Sequence, residues 1–284
     1  MAAVHYVQHG TGRPVLVLHG AGVDHREAEA CFEPALDGVA GLRRIYPDLP
    51  GMGRTAAPAT LRGADDVLDT LLAFADEVAA GAAYLLIGHS AGAYHAQAMA
   101  ARRPAQVAGL ALVCPLSPAV RDVPEHRVVT ATGEIGDDAF RSYFVIHTPE
   151  MLERYERYVA PAAALADQPA LERLGERWLL TPGQAPPYPG PTLVIAGRLD
   201  STVGYAAATD LLDHHPHATL AVLDDAGHAL PHEQPQLLRA LVTDWLARVA
   251  RSDELRSTRR QERQSEDLTD WSASWNSAVP DSPG

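Results

Sequence analysis

Lysine is absent from the 284 residues, so all 23 residues counted as lysine or arginine are arginines. This absence excludes mechanisms in which a lysine amine forms a Schiff base or acts as a general base. Basic charge is also scarce overall, because 36 acidic residues leave a formal net charge of -13. A nucleic-acid ligand or an anionic membrane surface requires a concentrated basic face. We therefore expect neither nucleic acid nor a membrane as a partner.

Cysteine and long apolar runs are rare as well. Cys31 and Cys114 are far apart and lack the spacing of a metal site, which favours buried thiols over a disulfide. No apolar run reaches the roughly 20 residues of a membrane span, and the first residues lack the segments of a signal peptide. We therefore expect a cytoplasmic protein, with enough apolar sequence (46%) for a full-sized core.

Strand and helix patterns alternate along most of the chain. Apolar or alternating strand patterns occur at 4–10, 15–18, the start of 43–54, 84–88, 107–113, 192–196 and 219–223. Helical patterns occur at 65–80, 91–102, 204–214 and 233–249. This alternation predicts an α/β fold with a mostly parallel, doubly wound sheet of about seven or eight strands and helices on both faces.

The alternation stops between residues 116 and 190, where no clear strand pattern occurs. Three helical patterns follow one another there, at 137–147, 149–165 and 169–180. Proline-rich joints lie at both ends of the segment. We therefore predict a helical cap at 116–190, inserted into a sheet domain formed by 1–115 and 191–250.

The last part of the chain, residues 251–284, differs in composition from the rest. It is polar, mixed in charge and rich in serine, and Trp271 and Trp275 are isolated apolar residues within it. Such a composition buries too little apolar surface to fold on its own. We predict a flexible tail.

Ser90 lies between a strand pattern and a helix pattern, in the segment Gly88-His89-Ser90-Ala91-Gly92. A sharp strand-to-helix turn holds a serine hydroxyl clear of its backbone, and small flanking residues relieve the crowding that the turn creates. The turn also directs the N–H of Ala91 towards the position where an attacked carbonyl develops negative charge. Taken alone, the segment is equally typical of an ordinary glycine-flanked turn.

Two further polar residues follow predicted strands, Asp200 and His228. Parallel strands end at the same edge of a sheet, where open α/β sheets place their ligand sites. The order Ser, Asp, His is the one expected of a catalytic triad on this architecture. We predict Ser90 as nucleophile, His228 as base and Asp200 as the acid that orients it. Asp224 and Asp225 are rival acids, but they share a loop with His228.

The segment His19-Gly20-Ala21-Gly22 ends another predicted strand and indicates a tight turn with outward-facing N–H groups. We expect the backbone N–H groups of Ala21 and Ala91 to form an oxyanion hole. Aromatic residues of the predicted cap are expected to give the pocket an apolar wall. The residues that we expect to line it are Asp24, His25, His89, Tyr143, Phe144 and Trp178.

The sequence contains 13 histidines, most of which are expected to be ordinary surface or core residues. A metal site can be drawn from four of them, namely His214, His215, His217 and His232. No His-Glu-x-x-His helix or cysteine set supports it, however, and His95 is expected to pack within its helix. We predict no metal and no cofactor.

In combination, these motifs resemble those of the α/β-hydrolase superfamily, in its capped, esterase-like form, over residues 4–249. The motifs that carry the resemblance are His19-Gly20-Ala21-Gly22, Asp48-Leu49-Pro50-Gly51-Met52-Gly53-Arg54, Gly88-His89-Ser90-Ala91-Gly92, Gly197-Arg198-Leu199-Asp200 and Gly227-His228. The resemblance implies a serine hydrolase that cleaves a small or medium apolar ester, lactone or thioester through an acyl-enzyme. Since one short strand precedes Val15, the usual first strand of an eight-stranded sheet is expected to be missing or displaced.

The residues at and after position 90 distinguish several enzyme classes within that superfamily. Epoxide hydrolases and haloalkane dehalogenases carry aspartate at the position of Ser90, and cofactor-free haloperoxidases typically follow the serine with Met-Gly-Gly. Carbon–carbon bond hydrolases share the triad and a similar cap, so they are one alternative. A receptor that keeps the triad but binds its ligand with little turnover is another. The sequence leaves open whether the protein forms a homo-oligomer.

Overall fold

The computed structural model describes residues 3–183 and 186–277. Its strands are β1 (Tyr6–His9), β2 (Arg13–Leu18), β3 (Leu42–Pro47), β4 (Tyr84–His89), β5 (Val107–Val113), β6 (Thr130–Ala131), β7 (Ile146–His147), β8 (Thr192–Gly197) and β9 (Ala218–Leu223). Its α-helices are α1 (His25–Leu36), α2 (Ala64–Ala79), α3 (Ala91–Arg102), α4 (Asp138–Tyr143), α5 (Pro149–Arg154), α6 (Ala160–Ala163), α7 (Gln168–Glu176), α8 (Leu211–His214), α9 (Leu230–Glu233) and α10 (Pro235–Ser277). A π-helical turn covers Tyr155–Val159, and a 3₁₀ helix covers Ala206–Asp210.

Seven strands form one sheet in the order β1-β3-β2-β4-β5-β8-β9. All neighbouring pairs are parallel except β1 and β3, which pair antiparallel at one edge. The predicted mostly parallel α/β sheet is therefore confirmed. The short first strand of the sequence is the antiparallel edge strand of the sheet.

The sheet separates two buried apolar layers. Leu16 and Leu18 of β2 pack in the layer covered by α2 and α3, whereas Val15 and Val17 pack in the layer covered by α1 and α10. This division follows from the pleat, because successive side chains of a strand point to opposite faces. Both faces are buried, as the continuous apolar run of β2 indicates.

Helix α1 was not predicted from the sequence. Asp24 is its N-cap, and the Asp24 carboxylate accepts a hydrogen bond from the backbone N–H of Arg26. Glu27 follows three residues after this cap, which is the spacing of a capping box. This spacing is the sequence feature from which the start of α1 could have been predicted. Proline disfavours the interior of a helix, and Pro34 lies in the last turn of α1.

The segment at 116–190 contains the predicted helices in shorter form, as α4 to α7. It also contains the short parallel pair β6 and β7, which the sequence did not indicate. An apolar cluster joins this segment to the loops that follow β2 and β9. The members of this cluster are Val23, Phe140, Phe144, Met151, Tyr155, Val159, Ala162 and Ala229.

Helix α10 continues to Ser277, far beyond the predicted end at Val249. The predicted end of the closing helix is therefore wrong, whereas the flexibility of the tail stays a prediction; residues 278–284 lie outside the described residues. Between Pro235 and Ser277 the chain has no glycine and no further proline, and Arg and Leu, which favour helix, are among its commonest residues. Within the described part of the chain, no helix combines the length and the apolarity needed to cross a membrane.

We expect Trp245→Ala to lower the free energy of unfolding by about 3–5 kcal/mol, the usual cost of deleting a large core side chain. The Trp245 side chain is fully buried, and its indole N–H donates to the carbonyl oxygen of Pro191 at 3.1 Å. Urea unfolding followed by circular dichroism measures the change. Leu237→Ala, on the same helix at a side chain that is 48% exposed, is the control and should cost under about 1 kcal/mol. Equal losses in the two variants would contradict the assignment of Trp245 to the core.

Candidate active site

Ser90 lies at the bend between β4 and α3 with an uncommon backbone conformation. Its φ is 55° and its ψ is -119°, and its backbone N–H donates to the carbonyl oxygen of Val113 at 3.0 Å. Strand and helix approach so closely here that a Cβ on Gly88 would lie 2.4 Å from the Gly92 oxygen. A Cβ on Gly92 would lie 2.4 Å from the carbonyl oxygens of both Leu18 and His19. Glycine is therefore required on both sides of Ser90.

Ser90, His228 and Asp200 form one hydrogen-bonded chain at the carboxyl edge of the sheet. The Ser90 Oγ lies 2.9 Å from His228 Nε2, and His228 Nδ1 lies 2.8 Å from Asp200 Oδ2. A charged carboxylate only accepts hydrogen bonds, so Nδ1 carries the proton and Nε2 accepts from the serine hydroxyl. The structure thus brings together the three residues predicted from the sequence.

Asp200 is fully buried, and its second oxygen is also satisfied. Oδ1 accepts hydrogen bonds from the backbone N–H groups of Thr202 and Val203 at 2.9 and 3.0 Å. Burial alone would raise the pKa of Asp200, but the charge and hydrogen bond of His228 and these two N–H groups lower it. The carboxylate is therefore held in its charged form beside the imidazole.

The two alternative acids, Asp224 and Asp225, do not contact the His228 ring in the way that Asp200 does. Asp224 and Asp225 are exposed, and Asp224 pairs with Arg198 at 3.5 Å. Because Asp200 occupies the hydrogen-bonding position behind the imidazole, the geometry favours it over both.

The loop after β2 is held by its own histidine. His19 Nδ1–H donates to the Gly20 carbonyl oxygen at 2.7 Å, and Nε2 accepts from the backbone N–H of Leu49 at 2.9 Å. Ala21 lines the same cavity as Ser90. Ala91 opens helix α3, where the first N–H groups have no partner within the helix. Ala21 and Ala91 therefore follow β2 and Ser90 respectively, and their role as oxyanion donors stays a prediction.

The chain that carries His228 is fixed by two buried side chains. His89 Nε2–H donates to the His228 carbonyl oxygen at 3.0 Å, and burial lowers the pKa of His89 to about 4. Glu233 accepts from the backbone N–H of Gly227 at 2.7 Å and from that of Val145 at 2.6 Å. One carboxylate therefore binds both the His228 loop and the segment at 116–190.

The cavity at Ser90 has a volume of about 220 Å³. Its lining residues are Gly20, Ala21, Gly22, Val23, Glu27, His89, Ser90, Ala139, Tyr143, Tyr155, Val159, Ala163 and His228. Two of the predicted lining residues, His89 and Tyr143, are among them. Small and apolar side chains form most of the wall.

Four of the predicted lining residues lie elsewhere. Asp24 caps α1 and pairs with the Arg26 guanidinium, while the ring of His25 donates to the buried carboxylate of Asp48 at 2.7 Å. The fully buried Phe144 stacks on Phe140 within the apolar cluster. The Trp178 ring lies beside that of Tyr94, with a distance of 5.9 Å between ring centroids. Each of these side chains is engaged by a neighbour that the sequence pattern did not reveal.

Sequence reasoning missed Glu27. A glutamate in the first turn of a helix normally faces solvent, yet this side chain is buried in the cavity wall. The Tyr143 hydroxyl donates to its Oε1 at 2.8 Å. This contact joins residues 116 positions apart, so local sequence patterns carry no signal for it.

Among the residues that the structure describes, two groups of side chains of types that can bind metals have their ligand atoms within 4.8 Å of one another, namely His89, Cys114 and His228, and His5, His25 and Asp48. Both ring nitrogens of His228 are already hydrogen-bonded, and each oxygen of Asp48 accepts two N–H donors. These contacts account for both groups without an ion. Cys31 and Cys114 are buried free thiols, as predicted.

Comparison with known proteins finds one family model, described as the alpha/beta hydrolase family, that matches residues 15–241. The Biotin biosynthesis bifunctional protein BioHC of Cellvibrio japonicus is 31% identical over 84% of this chain, which spans 48% of that relative. The 2-hydroxymuconate semialdehyde hydrolase of Pseudomonas sp. (strain CF600) is 28% identical, and the match covers 84% of this chain and 88% of that protein. An alpha/beta superfamily hydrolase from Oenococcus oeni PSU-1 has a TM-score of 0.80 and 27% identity, and the match covers 87% of this chain and 96% of that one.

We expect Gly92→Ala to destabilise the fold by about 1–3 kcal/mol, because the new methyl group meets backbone atoms that cannot turn away. Gly175→Ala is the matched control, since Gly175 also lies in a helix but a Cβ there meets nothing within 4 Å. The control should gain up to about 1 kcal/mol from helix propensity. Urea unfolding of the two variants measures the difference, and a loss in both would contradict the close contact at Gly92.

Proposed function

The chain belongs to the alpha/beta hydrolase family, and from this premise we propose that it is a serine hydrolase that cleaves small esters, lactones or thioesters. The single observation that carries the proposal is the continuous hydrogen-bonded chain from Ser90 Oγ through His228 to Asp200, with distances of 2.9 and 2.8 Å. A serine hydroxyl in contact with a base, which is itself oriented by a carboxylate, is the arrangement of an activated nucleophile.

In the proposed mechanism, Ser90 Oγ attacks the substrate carbonyl carbon while His228 Nε2 takes the hydroxyl proton. The carbonyl oxygen becomes an anion that the N–H groups of Ala21 and Ala91 stabilise. His228 then gives its proton to the leaving alcohol or thiol as the bond to the acyl carbon breaks. A water molecule, deprotonated by His228, releases the acyl group and restores Ser90. Asp200 stabilises the positive imidazolium in both halves of the reaction.

The cavity supports a small substrate. Its volume of about 220 Å³ lies below the roughly 300–1,000 Å³ of pockets that hold drug-sized ligands. Tyr155 and Val159 of the segment at 116–190, together with Val23 from the loop after β2, give it apolar walls. An acyl group of a few carbon atoms fits this space better than a long chain.

Carbon–carbon bond hydrolysis by the same three residues is a second candidate. It is supported by the similarity to the protein named 2-hydroxymuconate semialdehyde hydrolase. Incubation with a vinylogous diketone separates the two candidates, because only a carbon–carbon bond hydrolase consumes it.

We expect Ser90→Ala to lower kcat for p-nitrophenyl acetate by about 10³- to 10⁶-fold and to abolish labelling by a fluorophosphonate probe. The variant removes only the attacking oxygen, so its unfolding curve should match that of the parent. Ser252→Ala, on α10, is the control and should keep full activity and labelling. Unchanged turnover in Ser90→Ala would overturn the proposed nucleophile.

We expect kcat/KM for p-nitrophenyl esters to fall at least about tenfold between the acetate and the octanoate, because a chain of eight carbons exceeds the enclosed volume. Steady-state kinetics on the acetate, butyrate, hexanoate and octanoate measure the trend. Equal values along the series would show that the acyl chain lies outside this cavity.

A further inference from the structure

Five carboxylates are buried among the residues that the structure describes, namely Asp24, Glu27, Asp48, Asp200 and Glu233. In four of them, both oxygens accept hydrogen bonds. Asp24 accepts from Arg26, and Glu233 accepts from two backbone N–H groups. Asp48 accepts from two histidine rings and two backbone N–H groups. Asp200 accepts from His228 and two backbone N–H groups. Glu27 is the exception.

Glu27 is 2% exposed, and only one of its oxygens has partners. Oε1 accepts from the Tyr143 hydroxyl at 2.8 Å and from His232 Nε2–H at 3.2 Å. Within the described parts of the chain, no donor contacts Oε2. Because Glu27 lines the cavity that contains Ser90, this oxygen is free to accept a hydrogen bond from a molecule in that cavity.

Both partners of Glu27 donate to it, which favours its charged form. Arg154 Nε donates to His232 Nδ1 at 3.1 Å, and a guanidinium has no acceptor. The other ring nitrogen of His232 therefore carries the proton that points at Glu27. Burial acts to raise the pKa of Glu27, but the hydrogen bond from His232, the electrostatic effects of His232 and His89 and the hydrogen bond from Tyr143 outweigh it and lower the pKa. Glu27 is negative at neutral pH.

This negative group lies in the cavity of the proposed nucleophile. Glu27, Ser90 and His228 line the same space of about 220 Å³. The ring of Tyr143, which holds Oε1, lies against the His228 imidazole with 6.2 Å between centroids. A substrate seated on Ser90 therefore brings its remaining atoms close to a carboxylate.

We propose that Glu27 is a specificity residue whose carboxylate accepts a hydrogen bond from an ammonium group of the substrate. The preferred substrate is then a small ester that carries a positively charged amino group near its carbonyl carbon. This inference rests on the proposed serine hydrolase activity and narrows its substrate class. An anionic substrate is disfavoured, because its charge would face a carboxylate in a confined, poorly solvated space.

A series of ethyl esters of nearly equal size tests the inference at pH 7. Ethyl glycinate presents an ammonium group, ethyl propionate a methyl group and monoethyl malonate a carboxylate at the same position. We expect kcat/KM to fall in that order, with about 10- to 100-fold between glycinate and propionate, the effect of a hydrogen bond to a charged group. Equal values for glycinate and propionate would overturn the inference.

Glu27→Gln keeps the shape of the side chain and removes its charge. We expect the variant to lose the preference, so that the ratio of its kcat/KM for ethyl glycinate to that for ethyl propionate falls about 10- to 100-fold below the parent's ratio. Glu29→Gln is the matched control, because Glu29 lies on the same helix outside the cavity, with its carboxylate on His9 at 2.8 Å. A preference for glycinate that persists in Glu27→Gln would assign the selectivity to another group.

If Glu27→Gln does not fold, inhibition of the parent protein supplies the answer. Ethylammonium should inhibit hydrolysis of ethyl propionate competitively, and acetate at the same concentration should not. Equal inhibition by the two ions, or inhibition by acetate alone, would overturn the inference. Failure of the proposed function looks different, since no ester would be hydrolysed and Ser90 would not react with the fluorophosphonate.

Discussion

The close approach of strand β4 and helix α3 is the constraint on which the site depends. Ser90 takes a positive φ of 55° at their junction, a conformation that costs of order 1–3 kcal/mol for a residue with a Cβ. The surroundings impose it, because Gly92 packs its backbone against Leu18 and His19, and the Ser90 N–H is held by β5. The hydroxyl reaches His228 because the backbone has no room to relax.

Buried carboxylates extend this constraint to the loops around Ser90. Asp48, after β3, holds the backbone and ring of His25 at the start of α1, and it also accepts from His5 and from the backbone N–H of Arg54. The loop after β2 lies between these contacts and the His19–Leu49 hydrogen bond. The rim of the sheet is thus built from paired charges and N–H groups, while the layers behind it are apolar.

The sequence was sufficient for the sheet and for the three residues at its edge. Continuous apolar runs such as 107–113 coincide with buried strands, and the ends of parallel strands must meet, so Ser90, Asp200 and His228 were predictable. The residues of the cavity wall could not be predicted in the same way. Asp24 and His25 were expected in it because they follow the turn after β2, and Phe144 and Trp178 because they are aromatic residues of the predicted cap. Asp24 instead pairs with the nearby Arg26, and His25 contacts the distant Asp48. Phe144 stacks on Phe140, and Trp178 lies beside Tyr94. Glu27 was missed because its burial depends on Tyr143, and α10 was predicted too short because polarity was taken as evidence against helix.

Glu233 joins two parts of the molecule with one side chain. Its oxygens hold the N–H of Gly227, next to His228, and the N–H of Val145, in the segment that covers the cavity. A change at this one buried side chain would therefore release two backbone segments at once, the loop that carries His228 and the stretch that contributes Tyr143 and Tyr155 to the cavity wall.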